Sequence, residues 1–284
     1  MESQVWLITG ATRGIGLAIA QAALAAGHRV AGTYRSPSEA LAELAAQYPD
    51  RFTAAALDLA EPETLAPCAA QVLGAFGRID VLVNNAGYGL LGALEEMDEA
   101  AIRRQIEVNL TGLILFTHLV VPHLRAQGSG YIVNIASVAG LRGMLGGALY
   151  SATKFGVVGF SESLYHELRP LGIRVSVVAP GPYRTDWAGA SLVQTPGMTR
   201  PDTASPYHAL NDKLHRWNTT TDGRQPGDPQ QIGRVLVHAA TLPSPPLHLI
   251  FGDEALGFLA DKEAKMADPT YAARIPHGKL TLEL

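Results

Sequence analysis

Short runs of β-branched and apolar residues alternate with longer amphipathic segments through the first 180 residues. Val5–Thr9, Arg29–Tyr34, Phe52–Leu57, Ile79–Val83, Tyr131–Ala136 and Ile173–Ala179 read as strands, with a seventh at Leu247–Phe251. Between them, Gly16–Ala26, Glu63–Phe76, Glu99–Leu110 running on towards Leu124, and Ser151–Leu168 carry apolar residues at helical spacing. Glu254–Ala267 reads as a terminal helix. Alternation of this kind builds βαβ units, so the pattern predicts an α/β fold with a doubly wound, seven-stranded parallel sheet of Rossmann type.

The pattern breaks between 183 and 228, a stretch rich in Pro, Thr, Gly and Asp that carries Trp187, Tyr207 and Trp217. A segment of that length after the sixth strand reads as a substrate loop or lid, with room for short helices of its own. Three large aromatics weigh against a disordered insertion. The expected organisation is one Rossmann-type domain over 1–284. A cofactor and catalytic core occupies 1–182, the lid 183–228, and a last helix-strand unit with a C-terminal extension 229–284.

Composition narrows the partners. Across 284 residues, 47% are hydrophobic and 17% charged, as expected of strands buried on both faces. A formal net charge of −4 gives no electrostatic reason to expect nucleic acid or an acidic membrane, which leaves small metabolites. Cys68 is the single cysteine, so no intramolecular disulfide can form. The chain starts without a basic segment or cleavage-site pattern, and its longest apolar stretch, Leu110 to Val121, falls short of the ~20 residues of a membrane span. A cytoplasmic protein is expected. His118, His123 and His166 have no ligating acids or thiols nearby in the sequence, and no metal site is expected.

The first strand runs into Thr9-Gly10-Ala11-Thr12-Arg13-Gly14-Ile15-Gly16. Gly10 permits a tight turn, Gly14 close approach of a pyrophosphate, and Gly16 close packing of helix on strand, while the helix N-terminus offers free N–H groups to phosphate. Three residues separate the first two glycines, unlike the dinucleotide fingerprint, and a plain turn before a helix is the alternative reading. The second strand ends in Thr33-Tyr34-Arg35-Ser36, with no carboxylate for a ribose 2′-hydroxyl. Arg35 and Arg13 instead suit a 2′-phosphate, so NADP(H) is predicted over NAD(H).

Tyr150 and Lys154 lie one helical turn apart, with Ser137 upstream. A cation beside a phenol favours the phenolate and lowers its pKa from about 10, which would fit the tyrosine for acid–base chemistry.

Together these motifs resemble the short-chain dehydrogenase/reductase family, densely over residues 4 to 185. The match includes Thr9 to Gly16, Asp58-Leu59, Asn84-Asn85-Ala86-Gly87, Asn109, Ser137, Tyr150 with Lys154, and Pro180-Gly181 with Thr185. The resemblance implies that Asp58 and Leu59 contact adenine, although Asp58 also reads as a helix cap ahead of Pro62. It implies that Asn85, Ala86 and Gly87 line the adenosine ribose and support the central strands, and that Pro180, Gly181 and Thr185 hold the nicotinamide. Hydride would pass to a carbonyl carbon, Ser137 would hydrogen-bond the carbonyl oxygen, and Tyr150 would protonate it. Lys154 would lower the tyrosine pKa and hold ribose hydroxyls. Asn109 would kink its helix and fix a water linking Lys154 to solvent. Helices 99–124 and 151–168, with Leu113, Phe116, Phe155 and Phe160, are where the family forms homodimers and homotetramers, unless those residues only face the sheet.

Leu90, Leu91, Leu141, Met144, Leu145 and Trp187 suggest an apolar lining suited to a bulky ketone, aldehyde or alcohol. Asn84 to Gly92 with Glu95-Glu96 is similar to the hydroxysteroid and retinol dehydrogenase branch, which keeps those substrates open. Arg142 reads either as a receiver for an acidic group or as a solvated loop residue. A non-catalytic nicotinamide sensor could discard Tyr150 or Lys154, and this chain keeps both. A nucleotide-sugar epimerase shares the tyrosine–lysine pair but needs a larger C-terminal part.

Overall fold

The structure, a computed structural model, describes residues 3–268 and 270–272; Met1, Glu2 and the end of the expected C-terminal extension, 273–284, lie outside the described residues. Its strands are β1 (Val5–Ile8), β2 (Arg29–Tyr34), β3 (Phe52–Ala56), β4 (Val81–Asn84), β5 (Gly89–Leu91), β6 (Gly130–Ile135), β7 (Ile173–Pro180), β8 (Leu192–Gln194) and β9 (His248–Phe251). Seven of them form one parallel sheet in the order β3-β2-β1-β4-β6-β7-β9, and β5 pairs with β8 separately. The seven strands expected from the sequence all form, each end within two residues. The helices are α1 (Gly14–Ala25), α2 (Glu39–Gln47), α3 (Leu65–Phe76), α4 (Glu99–Ile106), α5 (Gly112–Gln127), α6 (Ala148–Leu168), α7 (Pro196–Thr199), α8 (His208–Thr221), α9 (Pro229–Thr241) and α10 (Asp253–Ala267).

The period of two along each strand divides the core. Trp6, Ile8, Val81, Val83, Tyr131 and Val133 face α1, α2 and α9, whereas Leu7, Leu82 and Ile132 face α3, α5 and α6. Both faces are thus covered, as a parallel sheet requires. Cys68 is buried in α3, and burial pushes its thiol up to about 12. The chain winds β1-β2-β3 to one side and β4-β6-β7-β9 to the other, so the direction reverses between β1 and β4. That reversal opens a crevice at the carboxyl ends of the strands.

Glu99 to Gln127 forms one 29-residue helical run, long and apolar enough by length and composition to cross a membrane, which the shorter apolar stretch did not suggest. Its Phe116, Val120 and Leu124 are buried against the sheet. Leu113 and Phe116, expected as interface residues, are also core residues; of that set Phe155 is exposed, at 40%.

A buried amide ladder ties sheet to helices. Asn84 Nδ2 donates to Asn134 Oδ1 and to Thr117 Oγ1, both at 2.8 Å, and Asn134 Nδ2 donates to Ser161 Oγ at 2.9 Å. All four side chains are buried. Replacing Asn134 by Ala takes one acceptor from Asn84, which keeps Thr117, and one donor from Ser161, which keeps the Val157 carbonyl, and each buried hydrogen bond left unmade costs on the order of 1–3 kcal/mol. Urea unfolding of Asn134→Ala is expected to give a loss of about 2 kcal/mol or more, on the scale of the two buried hydrogen bonds left unmade.

Candidate active site

A cavity of about 910 Å³ runs along the carboxyl ends of the strands, from Arg35 and Asp58 past Gly14 to Tyr150, Lys154 and Trp187. Gly10, Thr12, Arg13, Ile15, Leu59, Asn85, Ala86, Gly87, Ser137, Pro180, Gly181 and Thr185 also line it. Of the expected site residues, Gly16 and Asn109 stand behind the wall rather than in it.

The cradle fits a dinucleotide. Gly10 (φ 65) and Gly14 (φ 56) take left-handed backbone, and a Cβ on Gly14 would press on Thr185 at 3.3 Å, across the cavity mouth. A Cβ on Gly16 would come within 2.4 Å of the Gly10 carbonyl, so the helix can sit this close only with glycine there. The first turn of α1 has neither a side-chain cap nor an acidic residue, leaving its N–H groups facing the cavity for phosphate. Asn85 Nδ2 donates to the carbonyls of Thr9 and Gly10, at 2.9 and 3.0 Å, and holds the loop in place.

Arg13 and Arg35 line the same end, beside Ser36 and Ser38. Arg13 Nη2 also reaches the Ala190 carbonyl of the lid, at 3.5 Å. Asp58 accepts from the Ala60 N–H at 3.0 Å, closing a turn, while Glu61 occupies the N-cap position ahead of Pro62; the helix-cap reading is corrected accordingly. Its other oxygen pairs with Arg104 at 3.1 Å, and Arg104 is a cavity cation the sequence reading missed because it sits in an ordinary amphipathic helix.

Tyr150 and Lys154 sit one turn apart on α6, both buried. Lys154 Nζ lies 5.8 Å from the centre of the Tyr150 ring and donates to the Ile135 carbonyl at 2.8 Å. Ser137, just past the end of β6, accepts from the Ala139 N–H at 3.1 Å and lines the cavity beside Tyr150. The expected lowering of the tyrosine pKa is not what this environment produces. Burial pushes Tyr150 up to about 12, against the opposing pull of its hydrogen bonds to Ser137 and Trp187, and burial pushes Lys154 down to about 8.

Asn109 lies in a π-helical turn, Glu107–Thr111, between α4 and α5, which is the form the expected kink takes. Its Oδ1 accepts from the Tyr88 N–H at 3.0 Å and its Nδ2 donates to the Tyr88 carbonyl at 2.8 Å, so the side chain fixes the loop that carries Gly87. A Cβ on Gly87 would lie 3.2 Å from Asn109 Oδ1 and 3.7 Å from Lys154 Nζ. Glycine keeps that corner open.

The expected lid is ordered by pairing. β8 joins β5 in parallel, and α8 is a 14-residue helix where only short ones were anticipated. Trp187 packs on Tyr150 with ring centres 5.3 Å apart, and Trp217 stacks edge-on against Trp187 at 6.3 Å. Glu96 accepts from Asn211 at 3.0 and 3.1 Å, from Ser205 at 3.2 Å and from Thr195 at 3.4 Å, while Glu95 accepts from the Tyr207 hydroxyl at 2.6 Å. The acidic pair noted in the sequence is therefore a latch for the lid. Among the expected lining residues, Leu90 and Leu141 turn away from the cavity into separate clusters.

The sequence model of the short chain dehydrogenases matches residues 4–194. The chain belongs to the short-chain dehydrogenase family. Oxidoreductase BOA17 of Botryotinia fuckeliana (strain B05.10) is 36% identical over 265 residues, covering 93% of this chain and 94% of the relative. Human retinol dehydrogenase 8 is 33% identical over 255 residues, covering 85% and 79%. Among solved structures, a short-chain dehydrogenase from Streptomyces avermitilis has a TM-score of 0.84 at 38% identity, over 95% of this chain and 96% of the other. An alcohol dehydrogenase from Thermococcus sibiricus complexed with 5-hydroxy-NADP has a TM-score of 0.68 at 26% identity, over 88% and 96%. This dehydrogenase is thus an oxidoreductase of a family whose members act on small molecules with nicotinamide cofactors. Among the described residues, no group of three His, Cys, Asp or Glu side chains could hold a metal ion.

Glu96→Ala deletes the acceptor of Asn211, Ser205 and Thr195, and limited proteolysis is expected to cut within 183–228 several-fold faster than in the parent protein; equal rates would show that the latch does not hold the lid. A pH titration reads the buried lysine. Lys154 has a folded pKa of about 8 against 10.5 for the free side chain, so the unfolded chain binds more protons between those values. Stability of the cofactor-free protein should therefore rise with pH above 8, by at most ~1.4 kcal/mol per unit from this group. Cys68 and Tyr150, held in their neutral forms towards 12, oppose that rise above pH 9 and pH 10. The clean window is pH 8 to 9, where Lys154→Met should lack the rise.

Proposed function

We propose that this dehydrogenase interconverts an apolar ketone or aldehyde and its alcohol, with NADP(H) preferred over NAD(H). The observation that carries the reading is the convergence of Ser137, Tyr150 and Lys154 at one end of a cavity whose other end is a glycine-loop cradle. A bound reduced nicotinamide supplies the hydride. The Ser137 hydroxyl donates to the carbonyl oxygen, where negative charge develops, and Tyr150 gives that oxygen its proton. A phenol held near 12 is protonated at neutral pH, the form that can give a proton to the carbonyl oxygen. Lys154, with its pKa brought down to about 8, is placed to return a proton to the phenol and to hold ribose hydroxyls. Asn109 positions the loop over this pair and is the expected anchor of a water leading from Lys154 to solvent.

Arg13 and Arg35 support the NADP(H) preference, as does the 5-hydroxy-NADP bound by the Thermococcus sibiricus relative. The likeness to retinol dehydrogenase 8, together with Leu91, Met144 and Trp187 around the substrate end, supports a retinol- or steroid-like substrate as the second reading. Exposed Ile106, Leu115 and Phe155 on the α4–α5 and α6 surfaces support association into a dimer or tetramer.

Tyr150→Phe is expected to abolish turnover of a ketone panel while NADPH binding, read by fluorescence, stays close to the parent value. Substantial residual turnover would remove the assigned acid, and binding without oxidation across the panel by the parent protein would favour a nucleotide sensor. The ratio of kcat/KM for NADPH over NADH is expected to be about tenfold or more, the scale of one charge-assisted hydrogen bond to phosphate. Parity between the two cofactors would overturn the preference.

A further inference from the structure

Beyond Tyr150 the cavity passes Val138, Met144, Trp217 and Phe258, which also line a second chamber of about 320 Å³. The rest of that chamber is Leu91, Leu145 and Leu214, plus two cations, Arg142 and Lys213, and among the described residues no carboxylate lines it. Arg142 is fixed from two sides. Its guanidinium lies 4.6 Å over the centre of the Phe258 ring, and Nη1 donates to Asp261 at 2.9 Å. Asp261 is shared with Lys265, also at 2.9 Å, so one carboxylate serves two cations and Lys213 adds a third from the exposed side of α8. Positive charge is in surplus here, on a protein whose formal net charge is −4.

A wholly apolar substrate makes no use of these charges, and hydrocarbon laid against the Arg142 donors that Asp261 leaves free would cost them hydration without a partner. A guanidinium has five N–H donors in a fixed fork, and with one engaged by Asp261 the others can meet a second anion. Its immobilisation by ring and carboxylate lowers the ordering cost of that encounter. We propose that this chamber takes the apolar body of a substrate that ends in an anionic group, a carboxylate or a phosphate, received by Arg142 and Lys213. The proposal rests on the reading of Ser137 and Tyr150 as the carbonyl end of the same cavity. It makes the substrate amphipathic: a reducible carbonyl at one end, a hydrocarbon stretch in the chamber, a negative charge at the rim.

The probes are phenyl alkyl ketones that carry at the far end of a medium-length chain a carboxylate, its methyl ester, or a phosphate. With NADPH and the intact protein, kcat/KM for one or both anionic ketones is expected to exceed that of the ester about five- to tenfold, a range set by partly exposed ion pairs, with the advantage shrinking as salt is raised. Which anion gains more identifies the group at the rim. In Lys213→Glu, and separately in Arg142→Gln, the anion-to-ester ratio is expected to fall towards one. Lys213 is exposed on a helix surface, so the first variant should fold if the second does not. Equal turnover of ester and both anions would overturn the proposal, as would a ratio untouched by both substitutions. If the ester is reduced and Tyr150→Phe stops it, the carbonyl reductase reading survives that failure; if no ketone is reduced at all, that reading fails and takes the anionic subsite with it.

Discussion

The hydrogen bonds that close the sheet at its reversal point determine everything built above it. Thr9 and Asn85 end the two neighbouring strands β1 and β4. The Thr9 hydroxyl accepts from the N–H groups of Asn85 and Ala86, at 2.9 and 3.0 Å, while the Asn85 amide reaches back to the Thr9 and Gly10 carbonyls. These four contacts pin the glycine loop to the loop that carries Gly87, fixing the floor on which a dinucleotide would lie. Each is a short polar contact in a half-buried place, where an unmade hydrogen bond costs more than a made one contributes.

Above that floor the environment is dry, and dryness governs the chemistry more than charge does. A lysine one turn from a tyrosine suggests from spacing alone a phenol drawn towards ionisation. In the folded protein the stack of Trp187 and Trp217 closes over Tyr150, and desolvation holds both neutral forms, phenol and amine, in closer reach. Under the proposed reaction, a protonated phenol with a lysine of lowered pKa beside it has a proton ready where charge would develop on oxygen.

What could be read from the sequence follows from how local each cause is. Strands covered on both faces are near-continuous apolar runs, so β1, β2, β6 and β7 could be placed to within a residue. The glycine loop and the Tyr150–Lys154 pair were legible because backbone conformation and helical spacing are properties of short segments. Asp58 could be located but not its partner, since Arg104 lies 46 positions away and only the tertiary fold brings the two to 3.1 Å. Leu90 and Leu141 were assigned to the wrong side for a similar reason: Leu90 lies in the three-residue strand β5 and Leu141 in a turn, both too short to show a period. The Glu96 latch was hidden because its partners, Thr195, Ser205 and Asn211, lie about a hundred residues downstream in a segment without a repeating pattern.

The base of that segment is pinched. Tyr183 and Gly227 form a parallel bridge, and the Arg184 N–H donates to the Gly227 carbonyl at 2.8 Å. The two ends thus meet before the chain enters α9, and the lid is an excursion that leaves the sheet and returns to the same place. The entropic cost of such an excursion grows only with the logarithm of its length. Insertions between its anchored points therefore add little cost, while Trp187 on Tyr150 and β8 on β5 tether the excursion to the cavity, so that the same segment is free in length and fixed where it touches.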